Sequence, residues 1–291
     1  MRIVKSVTFL LPLFAAGYGD YWVGGEWYTL KPINSFVVMF DFLGFKDLRN
    51  GRGTEGIYRL YMRNLLPHIQ HAAALSGKIV QRNGQSEYVP DFGPQSIAYG
   101  VVSDSIILFA NGDSFDHFLR MILASHSLLC SGFTGNKAPL RGAIGYGDLI
   151  YDGNSIWIGS AIEDAYDGES SQVWSGCAIT PVCEQFVSEN GYINQYRKYW
   201  DIAYRHEQDH NKAKKFEKAK RRIVEYDIPK QCNPKTGPVE YGVRKGYALD
   251  WTLNVYEGAG EKAFLRSTDN HVKMIIENTI KFEKWARVHN R

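Results

Sequence analysis

The chain has 291 residues and a formal net charge of +3 at pH 7. Its apolar content of 44% and charged content of 22% are those of an ordinary globular protein, which excludes disordered and collagen-like chains. The net charge is too small to indicate a nucleic-acid partner. The basic residues also do not gather along one face, as they do in proteins that bind nucleic acid.

The first 34 residues are interpreted as an N-terminal extension. Residues 7–16 are apolar and follow Arg2 and Lys5, which is the outline of a short secretory signal, although the run is too short to span a bilayer as a helix. An early strand or an upstream part of the core is the alternative, favoured by Pro12 inside the run. The four cysteines are widely spaced and predict free thiols rather than a disulfide framework, so a cytoplasmic protein is expected.

Residues 36–46 are the most informative stretch of the sequence. An unbroken apolar run ends at Asp41, continues as Phe42 and Leu43, and then meets Gly44. Such a run predicts a strand buried on both faces, with Asp41 held rigidly at the edge of the sheet, where a metal could bind. Gly44 permits a sharp turn and the close approach of a ligand. The alternative is a core strand whose terminal Asp caps the next helix.

Further along, short elements alternate with turns. Residues 50–53 (Asn-Gly-Arg-Gly) predict a turn, and residues 57–74 carry the apolar spacing of a helix. Residues 78–81 predict a short strand, and residues 83–95 predict a polar loop.

The stretch from 97 to 110 predicts a β-hairpin with a carboxylate at its tip. Two apolar strands flank Ser-Asp-Ser, which places Asp104 in the turn. Asp113 and Ser114 are plausible N-caps for the amphipathic helix that follows. Residues 140–150 predict a strand interrupted by glycines, where another backbone or a ligand comes close.

The second half adds elements to this core. An extended segment at residues 156–165 becomes helical after Gly159, and the strongly charged residues 204–222 predict a solvated helix rather than a binding patch. Other predicted elements are a strand and helix at 178–187, strands at 223–228 and 247–251, and a closing helix at 274–288.

The order β-α-β-β-α-β predicts an α+β, ferredoxin-like fold, with an antiparallel sheet, helices packed on one face and C-terminal additions. The main domain is expected at residues 35–255, with the charged insertion near 204–222, and a C-terminal helix at 256–291. The first and third strands of such a sheet are neighbours, so Asp41 and Asp104 can meet at one edge. Two carboxylates at such a short distance repel each other unless a cation lies between them. This predicts a Mg²⁺ or Mn²⁺ ion held against substrate phosphates.

Four motifs in order and in register resemble those of the class III nucleotide cyclases. They are Phe-Asp-Phe-Leu-Gly-Phe at 40–45, Ser-Asp-Ser at 103–105, Arg-Gly-Ala-Ile-Gly-Tyr-Gly at 141–147 and Gly-Ser-Ala-Ile-Glu-Asp-Ala at 159–165. The resemblance covers residues 35–170. It implies a nucleoside triphosphate substrate and two divalent cations, Mn²⁺ or Mg²⁺, bound by Asp41, Asp104 and the Phe42 carbonyl.

The same resemblance implies a phosphate site. The backbone amides of Leu43, Gly44 and Phe45 would cradle the phosphates, and Arg141 would hold the terminal phosphate. The alternative for Arg141 is a surface residue on an edge strand.

The base-reading positions depart from those of the purine cyclases. Adenylate cyclases carry a Lys just before the second carboxylate and an Asp just before the Trp-Gly step, and neither stands in this sequence, at residues 98–102 or near Ile156. Glu163 and Asp167 hold the positions of the usual transition-state Asn and Arg. The sequence therefore more closely resembles the pyrimidine cyclases of the bacterial Pycsar anti-phage systems.

This closer resemblance implies a homodimer with active sites at the interface that makes 3′,5′-cyclic UMP or cyclic CMP, read by a cyclic-nucleotide-responsive effector. Tyr99, Asn50 and Arg49 are candidates for contacting the base. Arg49 or Lys46 of the partner subunit is a candidate for stabilising the transition state. A purine cyclase with an unusual base pocket, and an inactive cyclase-fold module that binds nucleotide or regulates, are the alternative functions.

Overall fold

The computed structural model describes most of the chain after residue 19. The described residues are 20–23, 26–29, 31–68, 77–82, 85–90, 97–134, 138–151, 157–232, 240–264 and 270–289. The predictions for the apolar run at 7–16 lie outside them. Within the described ranges, no helix is long and apolar enough to cross a membrane.

The described elements alternate between strands and helices. The strands are β1 (Asp20–Val23), β2 (Glu26–Thr29), β3 (Ile33–Phe42), β4 (Gly77–Arg82), β5 (Gln85–Pro90), β6 (Ile97–Val102), β7 (Ser105–Ala110), β8 (Leu140–Tyr151), β9 (Trp157–Ile158), β10 (Cys177–Ile179), β11 (Ile223–Cys232) and β12 (Glu240–Leu249). The helices are α1 (Phe45–Arg59), α2 (Phe115–Phe133), α3 (Ser160–Ser170), α4 (Pro181–Glu189), α5 (Tyr192–His206), α6 (His210–Ala219), α7 (Ala259–Ala263) and α8 (Asn270–His289). A π-helical segment (Leu60–Leu65) continues α1, and a 3-10 turn (Trp251–Asn254) follows β12.

The main sheet has the strand order β11-β12-β10-β8-β3-β7-β6, and β9 pairs with β8. Within it, β3, β6, β7 and β8 form the antiparallel four-stranded core of the predicted ferredoxin-like arrangement, with β3 at its centre. The α+β fold is therefore confirmed, and the first and third core strands, β3 and β7, are neighbours. The additions extend the sheet past β8, where β10 pairs in parallel.

Helices pack on both faces of the core sheet, and β3 presents apolar side chains to both of them. Phe36 packs against α2, with its ring centroid 5.5 Å from that of Phe118. The next residue, Val37, belongs to a second cluster on the opposite face, beneath α3. The prediction of helices on one face thus describes α1 and α2, whereas α3 lies on the other face.

Glycines in β8 allow α3 to pack closely against this strand. A Cβ at Gly145 would lie 2.5 Å from the Ala165 nitrogen, and one at Gly147 would lie 2.9 Å from the Ala161 nitrogen. Only glycine leaves room for a helix this close to a strand. The predicted close approach of another backbone is therefore confirmed, and that backbone belongs to α3.

Several predicted boundaries differ from the structure. The predicted turn at 50–53 lies within α1, which begins at Phe45, and divides it into two helical stretches at Gly53, whose φ of 68° is not helical. The predicted polar loop at 83–95 contains β5, because it pairs with β4. The predicted helix at 204–222 is two helices, divided where the Asp209 side chain caps α6 by accepting the Asn211 amide at 2.8 Å.

Candidate metal and nucleotide site

Strand pairing brings Asp41 beside the β6–β7 turn. Asp41 pairs in register with Ser105, the residue after Asp104. The Phe42 amide donates a hydrogen bond to the Asp104 carbonyl at 3.1 Å. The two carboxylate residues predicted to meet at one edge of the sheet are thus brought together, with the Phe42 main chain between them.

The conformation of Ser103 and a hydrogen bond from Tyr61 fix the tip of the hairpin that carries Asp104. Ser103 adopts a left-handed conformation with φ of 57°, which is uncommon for a residue other than glycine and closes the turn tightly. The Tyr61 hydroxyl, from the π-helical segment, donates to the Ser103 carbonyl at 2.8 Å. Burial and the charges of Asp104 and Asp41 raise the pKa of Tyr61, so its hydroxyl keeps its proton. Sequence reasoning missed this support because the contact spans 42 residues.

Excess negative charge accumulates around Asp41. Its pKa is raised from 3.8 to about 6, first because the carboxyl is partly buried and then because the carboxylates of Glu169 and Asp104 are close. Arg141 and the Phe42 amide act in the opposite direction, but they offset only part of this rise in pKa. A carboxylate in such surroundings is a candidate functional group, because a bound cation would relieve both repulsion and burial.

Arg141 is more enclosed than either sequence interpretation expected. It lies on β8, which is flanked by β3 and β10 and is therefore not an edge strand, and its side chain is 14% exposed. Its Nε donates to Glu169 Oε1 at 2.6 Å, and its Nη1 donates to the Gln172 carbonyl at 3.0 Å. Its Nη2 lies 3.9 Å from Asp41 Oδ2. In this structure the guanidinium predicted to hold a phosphate is thus largely engaged within the protein.

Glu169 is a second residue that sequence reasoning missed. It ends the buried stripe of α3, four residues after Ala165 and eight after Ala161. This i, i+4 spacing was a signal that Glu169 would face the sheet. Its side chain is only 5% exposed, and burial raises its pKa.

The predicted phosphate cradle lies at the N-terminus of α1. Gly44 precedes the helix in a left-handed conformation with φ of 75° and accepts the Leu48 amide at 3.1 Å. The amides of the first turn of a helix point outwards and favour anions. The Leu43 amide, however, donates to the Pro139 carbonyl at 3.0 Å. Of the three predicted donors, Leu43 is therefore engaged within the protein, and Gly44 and Phe45 stand at the helix N-terminus.

The predicted base-contacting and transition-state residues are dispersed. Arg49, Asn50 and Lys46 are exposed on α1, and Glu163 and Asp167 are exposed on α3. Tyr99, in contrast, packs against the core cluster on the α2 side of the sheet, because its neighbour Ala98 occupies the α3 side. Since Asp41 lies 3.9 Å from Arg141, which is bonded to Glu169 of α3, Tyr99 and Asp41 lie on opposite faces of the sheet.

A cavity of about 190 Å³ lies beside α3, on the same face of the sheet as Asp41. Its charged lining consists of Asp164, Asp167, Lys230 and Arg244. Asp164 accepts the Tyr146 amide at 3.1 Å, and burial raises its pKa. Arg244 donates to Glu184 at 2.7 Å.

The donor set at Asp41 and Asp104 fits a hard divalent cation. Carboxylate and carbonyl oxygens suit Mg²⁺ and Mn²⁺ rather than zinc. Among the described residues, no group of three or more His, Cys, Asp or Glu side chains is arranged to hold a metal. The fit thus depends on two carboxylates and the Phe42 carbonyl, with substrate oxygens needed to complete the coordination.

No protein-family model and no curated protein matches the sequence. The fold is similar to the catalytic core of a rhodopsin-guanylyl cyclase with converted specificity in complex with ATPαS, with a TM-score of 0.44 and 10% identity over 75% of this chain and 96% of that one. It is also similar to the monomeric guanylyl cyclase domain of the RhoGC fusion protein from the aquatic fungus Blastocladiella emersonii, with a TM-score of 0.39 and 11% identity over 54% of this chain and 86% of that one. Similarity at this level establishes neither a family nor an activity.

Proposed function

We propose that this protein is a nucleotide cyclase that converts UTP or CTP to the 3′,5′-cyclic monophosphate and pyrophosphate. The observation that carries the proposal is that Asp41, near the end of β3, pairs with Ser105, which places it beside Asp104 in the β6–β7 turn, in surroundings that raise the pKa of Asp41 to about 6. The four motifs that resemble class III cyclases support the reaction class. The departures from the purine-reading positions support a pyrimidine base.

Each group has a defined task in this reaction. The ribose 3′-oxygen attacks the α-phosphorus, the bond between the α-phosphorus and the α–β bridging oxygen breaks, and the 3′-hydroxyl proton passes to water as pyrophosphate leaves. Two divalent cations bound by Asp41, Asp104 and the Phe42 carbonyl would supply charge neutralisation and a lowered 3′-hydroxyl pKa. The amides of Gly44 and Phe45 bind phosphate oxygens, so positioning and charge stabilisation provide most of the rate.

A homodimer with the site at its interface belongs to the same proposal. Val102, in the hairpin that carries Asp104, is 68% exposed. A second subunit would bury this side chain and could supply the missing cationic group from its own Lys46 or Arg49, both exposed on α1. An effector that responds to the cyclic product and a role in anti-phage defence depend on the family resemblance, whereas a cytoplasmic location depends on the cysteine pattern.

The experiment that tests the activity is incubation of the purified protein with Mn²⁺ and each of ATP, GTP, CTP and UTP, with products identified by mass. We expect a cyclic pyrimidine monophosphate that is lost in Asp104→Asn. The matched control is Asp227→Asn, which removes an exposed carboxylate of β11 far along the sheet from β7. Turnover of ATP or GTP alone would contradict the pyrimidine assignment while retaining a cyclase.

An inactive nucleotide-binding module is the second candidate function. Three observations favour it: the Leu43 amide is bonded to Pro139, Arg141 is bonded to Glu169, and Glu163 and Asp167 replace the Asn and Arg of active cyclases. Stabilisation by nucleoside triphosphate and Mn²⁺ without any product would support this candidate. If Asp41→Asn abolished this stabilisation, the nucleotide and the metal would bind at Asp41 and Asp104.

A further inference from the structure

Asp41 and Arg141 stand directly opposite each other in the β3–β8 ladder. Their side chains lie on the same face, and opposite charges in this relation ordinarily form a close, charge-assisted hydrogen bond. Here the shortest separation, between Arg141 Nη2 and Asp41 Oδ2, is 3.9 Å. Something therefore holds the guanidinium back from its cross-strand partner.

Glu169 and the backbone beside it account for this separation. Glu169 accepts from Arg141 Nε at 2.6 Å, and the Gln172 carbonyl accepts from Nη1 at 3.0 Å. The Gln172 side chain is itself fixed, since its Nε2 donates to the Gly142 carbonyl at 2.7 Å and its Oε1 accepts from Trp174 at 2.8 Å. Because these acceptors belong to α3 and the segment after it, the position of Arg141 is set by how α3 sits on the sheet.

We propose that Glu169 is a positioning residue that holds Arg141 away from Asp41, which keeps the Asp41 carboxylate open to a divalent cation. Without Glu169, the guanidinium would close on Asp41 and act as an internal cation in place of the metal. The proposal depends on the proposed function only for the identity of the ligand, a divalent cation. The restraint on Arg141 is a property of the protein alone.

The first test measures stability without metal, using Glu169→Met, which has similar length but no acceptor. Thermal unfolding in EDTA at pH 7.5 is compared for Asp41→Asn in the wild-type and Glu169→Met backgrounds. We expect Asp41→Asn to raise the midpoint by roughly 2–5 °C in the wild type, where it removes an unrelieved charge. In Glu169→Met it should lower the midpoint, because it removes the new pair with Arg141. A rise of the same size in both backgrounds would overturn the proposal.

Glu169→Gln guards against failure of Glu169→Met to fold. Glutamine matches the shape of glutamate and keeps an acceptor oxygen but has no charge, so it should hold Arg141 less firmly. We expect Asp41→Asn to be less stabilising in Glu169→Gln than in the wild type, and this difference should shrink when Arg141→Gln is also present. Because the charge of Glu169 itself raises the pKa of Asp41, a difference of the same size with and without Arg141 would contradict the proposal.

The second test measures Mn²⁺ binding by calorimetry, with no nucleotide present. Glu169→Met should weaken binding at least tenfold, and adding Arg141→Gln should restore most of the loss. If Glu169 acted only through its charge, Arg141→Gln would change the affinity by the same factor in both backgrounds, which would overturn a positioning role.

These outcomes separate the two proposals. A reversal of sign in EDTA together with no product from any of the four triphosphates would sustain the role of Glu169 and contradict the cyclase. Product formation without the reversal would sustain the cyclase and contradict the role of Glu169.

Discussion

The main-chain amide of Phe42 donates to the main-chain carbonyl of Asp104 at 3.1 Å. This contact joins the end of β3 to the tip of the β6–β7 hairpin, so the two carboxylate residues are placed by backbone rather than by flexible side chains. A site built on rigid elements keeps its geometry when a ligand binds.

Asp41→Asn should stabilise the metal-free protein at pH 7.5 and leave it unchanged near pH 4. The pKa of Asp41 is about 6 in the folded protein and 3.8 in the unfolded reference, so the folded state binds the proton more tightly. Stability from this group is present below pH 3.8 and is lost as the pH rises through 6. We expect a gain of about 1–3 kcal/mol, reduced by the solvent that reaches this partly exposed side chain.

Urea unfolding in EDTA at the two pH values measures this gain. Asp227→Asn, which removes an exposed carboxylate, is the control and should change little at either pH. Equal stability of Asp41→Asn and wild type at pH 7.5 would show that the charge of Asp41 is already compensated.

Mn²⁺ alone should raise the unfolding midpoint of the wild type, since an ion that binds only the folded state stabilises it. The rise should be lost in Asp41→Asn and in Asp104→Asn, because each removes one oxygen ligand with its charge. Differential scanning fluorimetry across a Mn²⁺ titration measures the effect. A rise that persists in both variants would place the cation elsewhere on the protein.

His126 should make the protein sensitive to acid. It is fully buried, its Nε2–H donates to the Asp250 carbonyl at 2.9 Å, and burial together with the charge of Arg222 lowers its pKa from 6.5 to about 3. A lowered folded pKa contributes stability that is present above pH 6.5 and lost as the pH falls toward 3. The loss from this group should reach about 2–4 kcal/mol by pH 4.

In His126→Gln, the decline in unfolding free energy between pH 7 and pH 4 should be shallower than in the wild type. His68→Gln changes an exposed histidine and should leave the decline as it is. Parallel pH profiles for His126→Gln and wild type would contradict the assignment of acid sensitivity to His126.

Gly145→Val should disrupt the packing of α3 against β8. A Cβ at Gly145 would lie 2.5 Å from the Ala165 nitrogen and 2.8 Å from the Ala161 carbonyl oxygen, and backbone cannot yield as a flexible side chain can. We expect a loss of about 2–4 kcal/mol in unfolding free energy, together with weaker Mn²⁺ binding because α3 carries Glu169. Gly51→Ala is the control, since a Cβ there meets nothing within 4 Å and alanine favours the helix.

The local patterns were sufficient for the core of the fold. The apolar run into Asp41, the Ser-Asp-Ser turn and the glycines of β8 each predicted an element that the structure contains. Such patterns are readable because side-chain alternation, turn chemistry and glycine spacing act between near neighbours in the chain. Element boundaries were less predictable: α1 begins at Phe45, before the predicted turn, and resumes after the non-helical Gly53.

By itself, the sequence determined that two carboxylates stand at the ends of neighbouring strands, because the order of elements in a ferredoxin-like sheet dictates which strands pair. Only the tertiary structure decided how those carboxylates are charged and which donors are already engaged. Glu169 reaches Arg141 across 28 residues, and Pro139 reaches the Leu43 amide across the sheet edge. Burial and long-range electrostatics depend on which surfaces come together in space, and that information is not local in the chain.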